Sequence, residues 1–260
     1  MRDPGAAAKA DTPDSAAGLP ILRAAALETA VPGLVAGITA RLPGGGRGQA
    51  DDFGLSTGGS SWSVAERYEA LARGLGLGSA SVCRQVHGTG LVAVEDAPPA
   101  GVWIPGEADG FFGATPRRLF AVTVADCVPV YLVEPETRAF ALLHAGWRGA
   151  AAGILERALE ALRTAHGLPA SAFRLHLGPA ICGDCYEVGP EVPRAFGRAV
   201  EGDEERTTLD VGGELIAEAL ELGVPRDQVT RSDLCTKCDG TLLHSHRGGG
   251  AQAGRMAAYI

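Results

Sequence analysis

The sequence predicts an α/β protein of a single domain built on mixed β-sheets, and three observations lead there. Short apolar runs rich in β-branched residues alternate with segments whose apolar residues recur at helical intervals, the pattern of sheets covered by helices. Several consecutive runs are joined by only three or four residues, too few for a parallel crossover, so some neighbours must pair antiparallel. A chain of 260 residues with 46% hydrophobic and 21% charged side chains is long enough for a substantial core, and no stretch is apolar for long enough to span a membrane.

Met1 to Pro20 is rich in Ala, Asp and Pro and lacks the apolar core of a secretory signal, so 1–20 is expected to be a mobile tail and 21–260 the folded domain. A strand is expected over Leu34 to Thr39, followed by Arg41, a glycine run and a long polar loop over 43–61, a length that in a compact domain is functional or mobile. Ser63-Val64-Ala65-Glu66 has capping-box spacing, and Val64, Tyr68, Leu71 and Leu75 continue a helix to about Gly74. Ser81 to Val86 and Leu91 to Val94 read as strands around a tight turn at His87-Gly88-Thr89-Gly90. Leu119 to Val124, Val128 to Val133 and Ala139 to Leu143 are three further apolar runs, separated by Ala125-Asp126-Cys127 and by Glu134-Pro135-Glu136-Thr137. Ile154, Leu155, Ala158, Leu159 and Leu162 line one face of the longest helix, which Gly167 ends. A strand over Phe173 to Leu177 and a helix over Gly213 to Leu222 complete the pattern.

The chemistry-bearing residues sit where the apolar runs stop. His87, Cys127 and His144 each follow a predicted strand, and two imidazoles with a thiolate suit zinc at three positions with the fourth open. No local motif links them, so three unconnected strand-end residues is the other reading of the same spacing. His144-Ala145-Gly146-Trp147-Arg148-Gly149 joins a strand to the start of the long helix and adds a guanidinium, a combination that can hold phosphate or that is a strand-to-helix turn with a solvated Arg. Arg41 is a second candidate cation for it, or a surface residue. Cys182-x-x-Cys185 and Cys235-x-x-Cys238 have the spacing of zinc ligands, yet 49 residues lie between them, which favours unlinked thiols over a second zinc or a redox disulfide. Trp62, Trp103 and Phe120 have no basic stripe beside them and read as packing residues.

Taken in order, Gln85-Val86-His87-Gly88, Ala108-Asp109-Gly110, Val124-Ala125-Asp126-Cys127-Val128-Pro129-Val130, His144 to Gly149, Gly178-Pro179-Ala180-Ile181 and Cys185-Tyr186-Glu187-Val188-Gly189 resemble the YfiH family. That family is also called the laccase-domain or multicopper polyphenol oxidoreductase family and a purine nucleoside phosphorylase family. Asp233-Leu234-Cys235-Thr236, Ser245-His246-Arg247 and Gly254-Arg255 resemble its C-terminal signature, so the likeness runs from about Val35 to the end of the chain. It implies two mixed sheets packed between helical layers, an α/β/β/α catalytic domain, with zinc on His87, Cys127 and His144. It implies phosphorolysis of adenosine, inosine and 5′-methylthioadenosine, with adenosine deamination as a side activity. Arg41 matches the Arg of the family's Thr-Arg-x-Gly-Gly segment, here with Leu42 and Pro43 before the glycines. In the mechanism these residues suggest, Arg148 and the helix start orient phosphate, with Arg41 a second candidate. Cys127 and Asp126 join Arg148 as the catalytic set, Asp126 orienting a ligand or moving a proton, or standing only as a turn carboxylate.

Charge and histidine content narrow these readings. With 23 Lys and Arg against 31 Asp and Glu the net charge is −8, so neither nucleic acid nor an anionic membrane is an expected partner. The expected partners are a purine nucleoside and phosphate, and the expected compartment is the cytoplasm, where cysteines serve as thiolates or ligands. A multicopper oxidase needs about ten histidines, and this chain has six, so copper ranks below zinc. A lone blue-copper centre would require Met256 as its axial ligand. Two further alternatives are a cysteine or metal hydrolase editing peptidoglycan precursors, and a metal-dependent binding module without enzymatic activity that uses the 43–61 loop as its contact surface.

Overall fold

The computed structural model describes residues 11–57, 59–94, 101–114, 117–200 and 206–260, with Ser61 and Trp62 in backbone only, so the packing expected of Trp62 lies outside the described residues. Two mixed sheets stack face to face with helices on both outer faces. Among the described residues the first sheet has seven strands, in the order Thr12–Ala16, Leu19–Arg23, Gly37–Thr39, Met256–Tyr259, Leu119–Val124, Ser79–Val82 and Gly101–Trp103. The second has six, in the order Val229–Arg231, Arg174–Leu177, Val128–Val133, Phe140–Ala145, Gly110–Gly113 and Val92–Val94. Both mix directions: Ser79–Val82 runs parallel to its two neighbours, and the outermost pairs of the second sheet are parallel around an antiparallel centre.

Strand Val128–Val133 is buried along its whole length because its two faces serve different cores. Val128, Val130 and Leu132 face the helical layer, while Tyr131 and Val133 face the other sheet, which is why its sequence is continuously apolar instead of alternating. Between the sheets, Phe120 packs on Phe111 and Phe140 with ring centroids 5.3 and 4.9 Å apart. Val64, Tyr68 and Leu71 of helix Ser61–Gly74 cover the first sheet, and Leu155, Leu159 and Leu162 of helix Ile154–His166 cover the second. Each such buried side chain contributes about 1.5–3 kcal/mol.

Four expectations are corrected. The tail read over 1–20 does not extend that far, because Thr12–Ala16 and Leu19–Arg23 form a hairpin at the edge of the first sheet. The outer strand has four exposed residues, Pro13 among them, so it shows no apolar pattern, and an edge is where proline is tolerated. Helix Ser61–Gly74 begins before the expected box, with Ser60 as the cap accepting from the Ser63 amide at 3.3 Å. Ser79–Val82 and Val92–Val94 are not a hairpin but belong to different sheets. The segment after His144 leads into a separate five-residue helix, Trp147–Ala151, because Gly153 adopts φ +78° and breaks it from Ile154–His166. The long loop is ordered around two buried carboxylates. Asp51 accepts from the Leu42 amide and pairs with His244, while Asp52 accepts from the amides of Gly48, Gly54 and Arg255.

Candidate active site

The site forms where the chain changes sheets. Leu119–Val124 lies in the first sheet and Val128–Val133 in the second, so Ala125-Asp126-Cys127 is the link between them, with Ala125 and Asp126 buried and Cys127 partly exposed. Gln85 ties the segment before His87 to this link by imitating a strand partner. Its side-chain oxygen accepts from the Thr123 amide and hydroxyl at 2.7 and 2.8 Å, and its side-chain amide donates to the Thr123 carbonyl at 2.7 Å. His144 arrives on the buried strand Phe140–Ala145, paired with Val128–Val133. The donor atoms of His87, Cys127 and His144 thereby lie within 4.8 Å of one another, with the two imidazoles edge to face at 78°. The convergent reading of the triplet is the one the fold realises.

Asp109, fully buried, organises the cluster. Its Oδ1 stands 2.8 Å from Nδ1 of His144 and accepts from the His87 amide at 2.9 Å, and its Oδ2 accepts from the amides of Gly88 and Val86 at 2.7 and 3.3 Å. Wrapping three consecutive amides around one carboxylate accounts for the left-handed backbone of His87, φ +59°. Burial raises the Asp109 carboxyl, but the hydrogen bonds from His144 and the amides outweigh it and hold the group below the usual carboxylate range. Burial likewise opposes ionisation of Cys127, and the two histidines overcome it, bringing the thiol down to about 6. His144 is disfavoured as a cation by burial, yet Cys127 and Asp109 together raise it to about 9.

These residues fit a zinc-type ion by the chemistry of their donors. A thiolate and two imidazoles are ligands of such an ion, and the carboxylate behind His144 is the support that fixes a ligating ring. Space has been left for the cluster: a Cβ on Gly146 would stand 3.1 Å from Cys127 Sγ and 3.0 Å from the His87 ring. All three donors border one cavity of about 760 Å³, so the fourth side of the cluster is open to it.

Arg84, Arg148, Arg247 and Arg255 border that cavity, with Asp126 the one carboxylate among its described lining residues, so the local field is positive in a protein of net charge −8. Arg148 is exposed and lies 4.3 Å from the Trp147 ring, and Arg247 lies 4.8 Å from the ring of Tyr186. Arg41 does not join them. Its guanidinium donates to the carbonyls of Gly45 and Gly240 at 3.1 and 2.7 Å, outside the cavity lining, and so ties the long loop to the C-terminal segment. Asp126 borders the cavity, but both its oxygens are engaged, Oδ1 by the Thr236 hydroxyl at 2.7 Å and Oδ2 by the Arg247 amide at 2.6 Å. It fastens the C-terminal segment to the sheet crossing. The 43–61 loop supplies Gly54, Leu55 and Ser56 to the cavity wall.

Several residues here carried no separate signal in the sequence. Asp109, Gln85, Tyr186, His246, Arg247 and Arg255 were visible only as members of motifs, since an isolated Asp between Ala108 and Gly110 reads as a turn. The four cysteines expected to be unlinked converge instead, with their sulfurs within 4.8 Å of one another. Among the described residues no other group of three or more histidine, cysteine or carboxylate donors converges. His176 and His244 are buried against Thr230 and Asp51, away from the cavity, and Met256 is fully buried in the sheet core. No helix is long and apolar enough to cross a membrane among the described residues.

Residues 35–260 match the model of a family described as multi-copper polyphenol oxidoreductase laccase. The purine nucleoside phosphorylase YlmD of Geobacillus stearothermophilus is 31% identical over 250 residues, covering 88% of this chain and 90% of its own. Its crystal structure superposes with a TM-score of 0.80 at 28% identity, over 96% of this chain and 98% of that one. A purine nucleoside phosphorylase of Deinococcus radiodurans is 37% identical over 207 residues, 76% of each chain. An adenosine deaminase, RL5, from an unknown prokaryotic organism is 32% identical over 146 residues, 53% of this chain and 55% of its own.

Proposed function

The chain belongs to the multi-copper polyphenol oxidoreductase laccase family, and from that premise we propose that it is a zinc-dependent purine nucleoside phosphorylase. Its substrates are adenosine, inosine and 5′-methylthioadenosine, cleaved by phosphate to the base and the sugar 1-phosphate. The observation that carries this reading is the open His87, Cys127 and His144 cluster on a cavity bordered by four arginines. The names of the relatives support the same chemistry.

Zinc held by His87, Cys127 and His144 supplies Lewis-acid polarisation or an activated water when bound. Arg148, with Arg247 and Arg255 bordering the same cavity, draws phosphate into a space that the overall charge would otherwise deny it. One phosphate oxygen bonds to the anomeric carbon as the bond from that carbon to the purine nitrogen breaks, and the departing base takes up a proton. Trp147 and Tyr186 offer ring surface to the purine, each backed by an arginine. Asp126 acts as a positioning residue, holding Thr236 and Arg247 against the link that carries Cys127. Deamination of adenosine is a second reading, favoured by the similarity to RL5. There water replaces the purine amine, ammonia leaves, and no phosphate is consumed.

Product analysis with and without inorganic phosphate tests both. Phosphorolysis requires phosphate and yields adenine with ribose 1-phosphate; deamination yields inosine without it. Free ribose as the sole sugar product overturns the phosphorylase. Activity that survives full metal removal but ends on thiol alkylation replaces zinc chemistry with a Cys127 hydrolase, and turnover of phenols alone restores the copper oxidase.

A further inference from the structure

We propose that Cys182, Cys185, Cys235 and Cys238 form a second metal site, a closed tetrathiolate zinc centre distinct from the cavity cluster. The fold cancels the 49-residue separation that made the pairs look unrelated. Ala180 and Cys235 form a parallel bridge, the Thr236 amide donates to the Ala180 carbonyl at 3.1 Å, and the two Cys-x-x-Cys turns are left side by side. All four sulfurs lie within 4.8 Å of one another, and those of Cys185 and Cys238 are 3.4 Å apart. A tetrahedral ion with Zn–S bonds of about 2.3 Å sets its ligands about 3.8 Å apart, so small movements close the geometry.

The backbone is already arranged for thiolates. The amides of Cys182 and Cys238 donate to Cys235 Sγ at 3.3 and 3.5 Å, bonds that favour the charged sulfur. The second donates from the last cysteine of a Cys-x-x-Cys turn back to the first, holding the turn tight around one side of an ion. Arg231 borders the same hollow as Cys182 and Cys235, with its guanidinium held by both carboxylate oxygens of Asp210 at 2.6 and 2.7 Å. One disulfide between Cys185 and Cys238 would leave the sulfur that accepts both amides without a role, whereas a single divalent ion uses all four. Binding displaces the thiol protons and leaves four thiolates on one Zn²⁺.

The site clamps two loops that meet at the cavity. Ile181 follows the bridge and its amide donates to the Asp126 carbonyl at 3.0 Å, while Thr236, next to Cys235, donates its hydroxyl to the Asp126 carboxylate. A metal here therefore positions the sheet crossing without touching substrate.

The test is zinc content and cobalt spectroscopy on the full chain purified under reducing conditions without added metal. In a His87→Ala, His144→Ala double variant about one zinc per chain should remain, and cobalt substitution should give the intense sulfur-to-cobalt charge-transfer band of a tetrathiolate. Adding Cys182→Ser and Cys238→Ser should abolish both signals. A folded double variant that binds neither metal overturns the proposal, as does a native chain whose mass shows these cysteines as two disulfides. Should the variants not fold, cadmium-113 spectroscopy of the native chain decides: a resonance in the tetrathiolate range supports the site, and its absence overturns it.

Discussion

Two clusters of histidine and cysteine side chains converge, each linked to Asp126 by sequence or by hydrogen bonds of neighbouring residues, and they are built in opposite ways. His87, Cys127 and His144 come from three separate segments, are supported from behind by a buried carboxylate, and leave one side open to a cavity. The four cysteines come as two local pairs, close around their centre, and reach the surface at Cys238. An open three-donor set leaves room for water or substrate, and a closed four-donor set does not. On the two proposed assignments, donor count and an open side, more than donor identity, separate a centre for chemistry from a clamp.

Replacing His144 with Ala is the sharpest way to break the comparison. It removes a proposed ligand and the partner of Asp109 together, so nucleoside cleavage should fall by about 10²–10³-fold, the scale of losing a principal electrostatic stabiliser. Progress curves on adenosine with saturating phosphate would check it; a variant within tenfold of the native rate would show that the cluster is not the reaction centre. Asp109→Asn should have a smaller effect, about 10–100-fold in activity or zinc affinity, because the ring stays but its orientation and basicity are lost. Zinc affinity measured by competition with a chelator should weaken in that variant while the cysteine cluster keeps its metal. Arg148→Ala comes next, raising the KM for phosphate about tenfold or more with kcat less affected, as expected for a charge-assisted contact of about 1.5–3 kcal/mol in a site with neighbouring arginines. A kcat loss with unchanged phosphate KM would place the anion elsewhere.

The two groups also differ in how much of them the sequence reveals. Cys-x-x-Cys is a local signal, but its meaning depended on whether two loops 49 residues apart would meet, and that is decided by a single bridge at Ala180 and Cys235. His87, Cys127 and His144 have no local signature; strand ends located them, and the family likeness joined them. The fold class and the inner strands were legible because apolar runs such as Leu119–Val124 and Val128–Val133 are long and uninterrupted. The edge hairpin was not, since Thr12–Ala16 is polar and exposed, and neither was the role of Arg41, whose partners are backbone carbonyls that no side-chain pattern encodes.

The smallest expected effect concerns how metal release from the two groups is to be read against pH. Both should release metal as pH falls, because protons compete for thiolates and imidazoles. Glu218, on helix Val211–Glu221, works the other way. Burial raises its carboxyl to about 7, with the charges of Glu156 and Glu221 adding to the rise against a hydrogen bond that lowers it. Since the folded value exceeds the unfolded value of 4.5, its contribution to stability is complete below about pH 4.5 and is lost as pH rises through 7. Partial solvation of the side chain reduces the loss to about 1–2 kcal/mol. Denaturant unfolding of the chelator-treated chain should therefore show stability declining between pH 4.5 and 7.5 from this source, and Glu218→Gln should flatten that slope. A slope unchanged by the substitution would assign it to other groups. With Glu218→Gln as the background, the difference between the metal-loaded and the chelator-treated chain isolates the acid-side steps of the two clusters from the loss due to Asp109, Asp51, Asp210 and Glu134, whose carboxyls are held low in the fold.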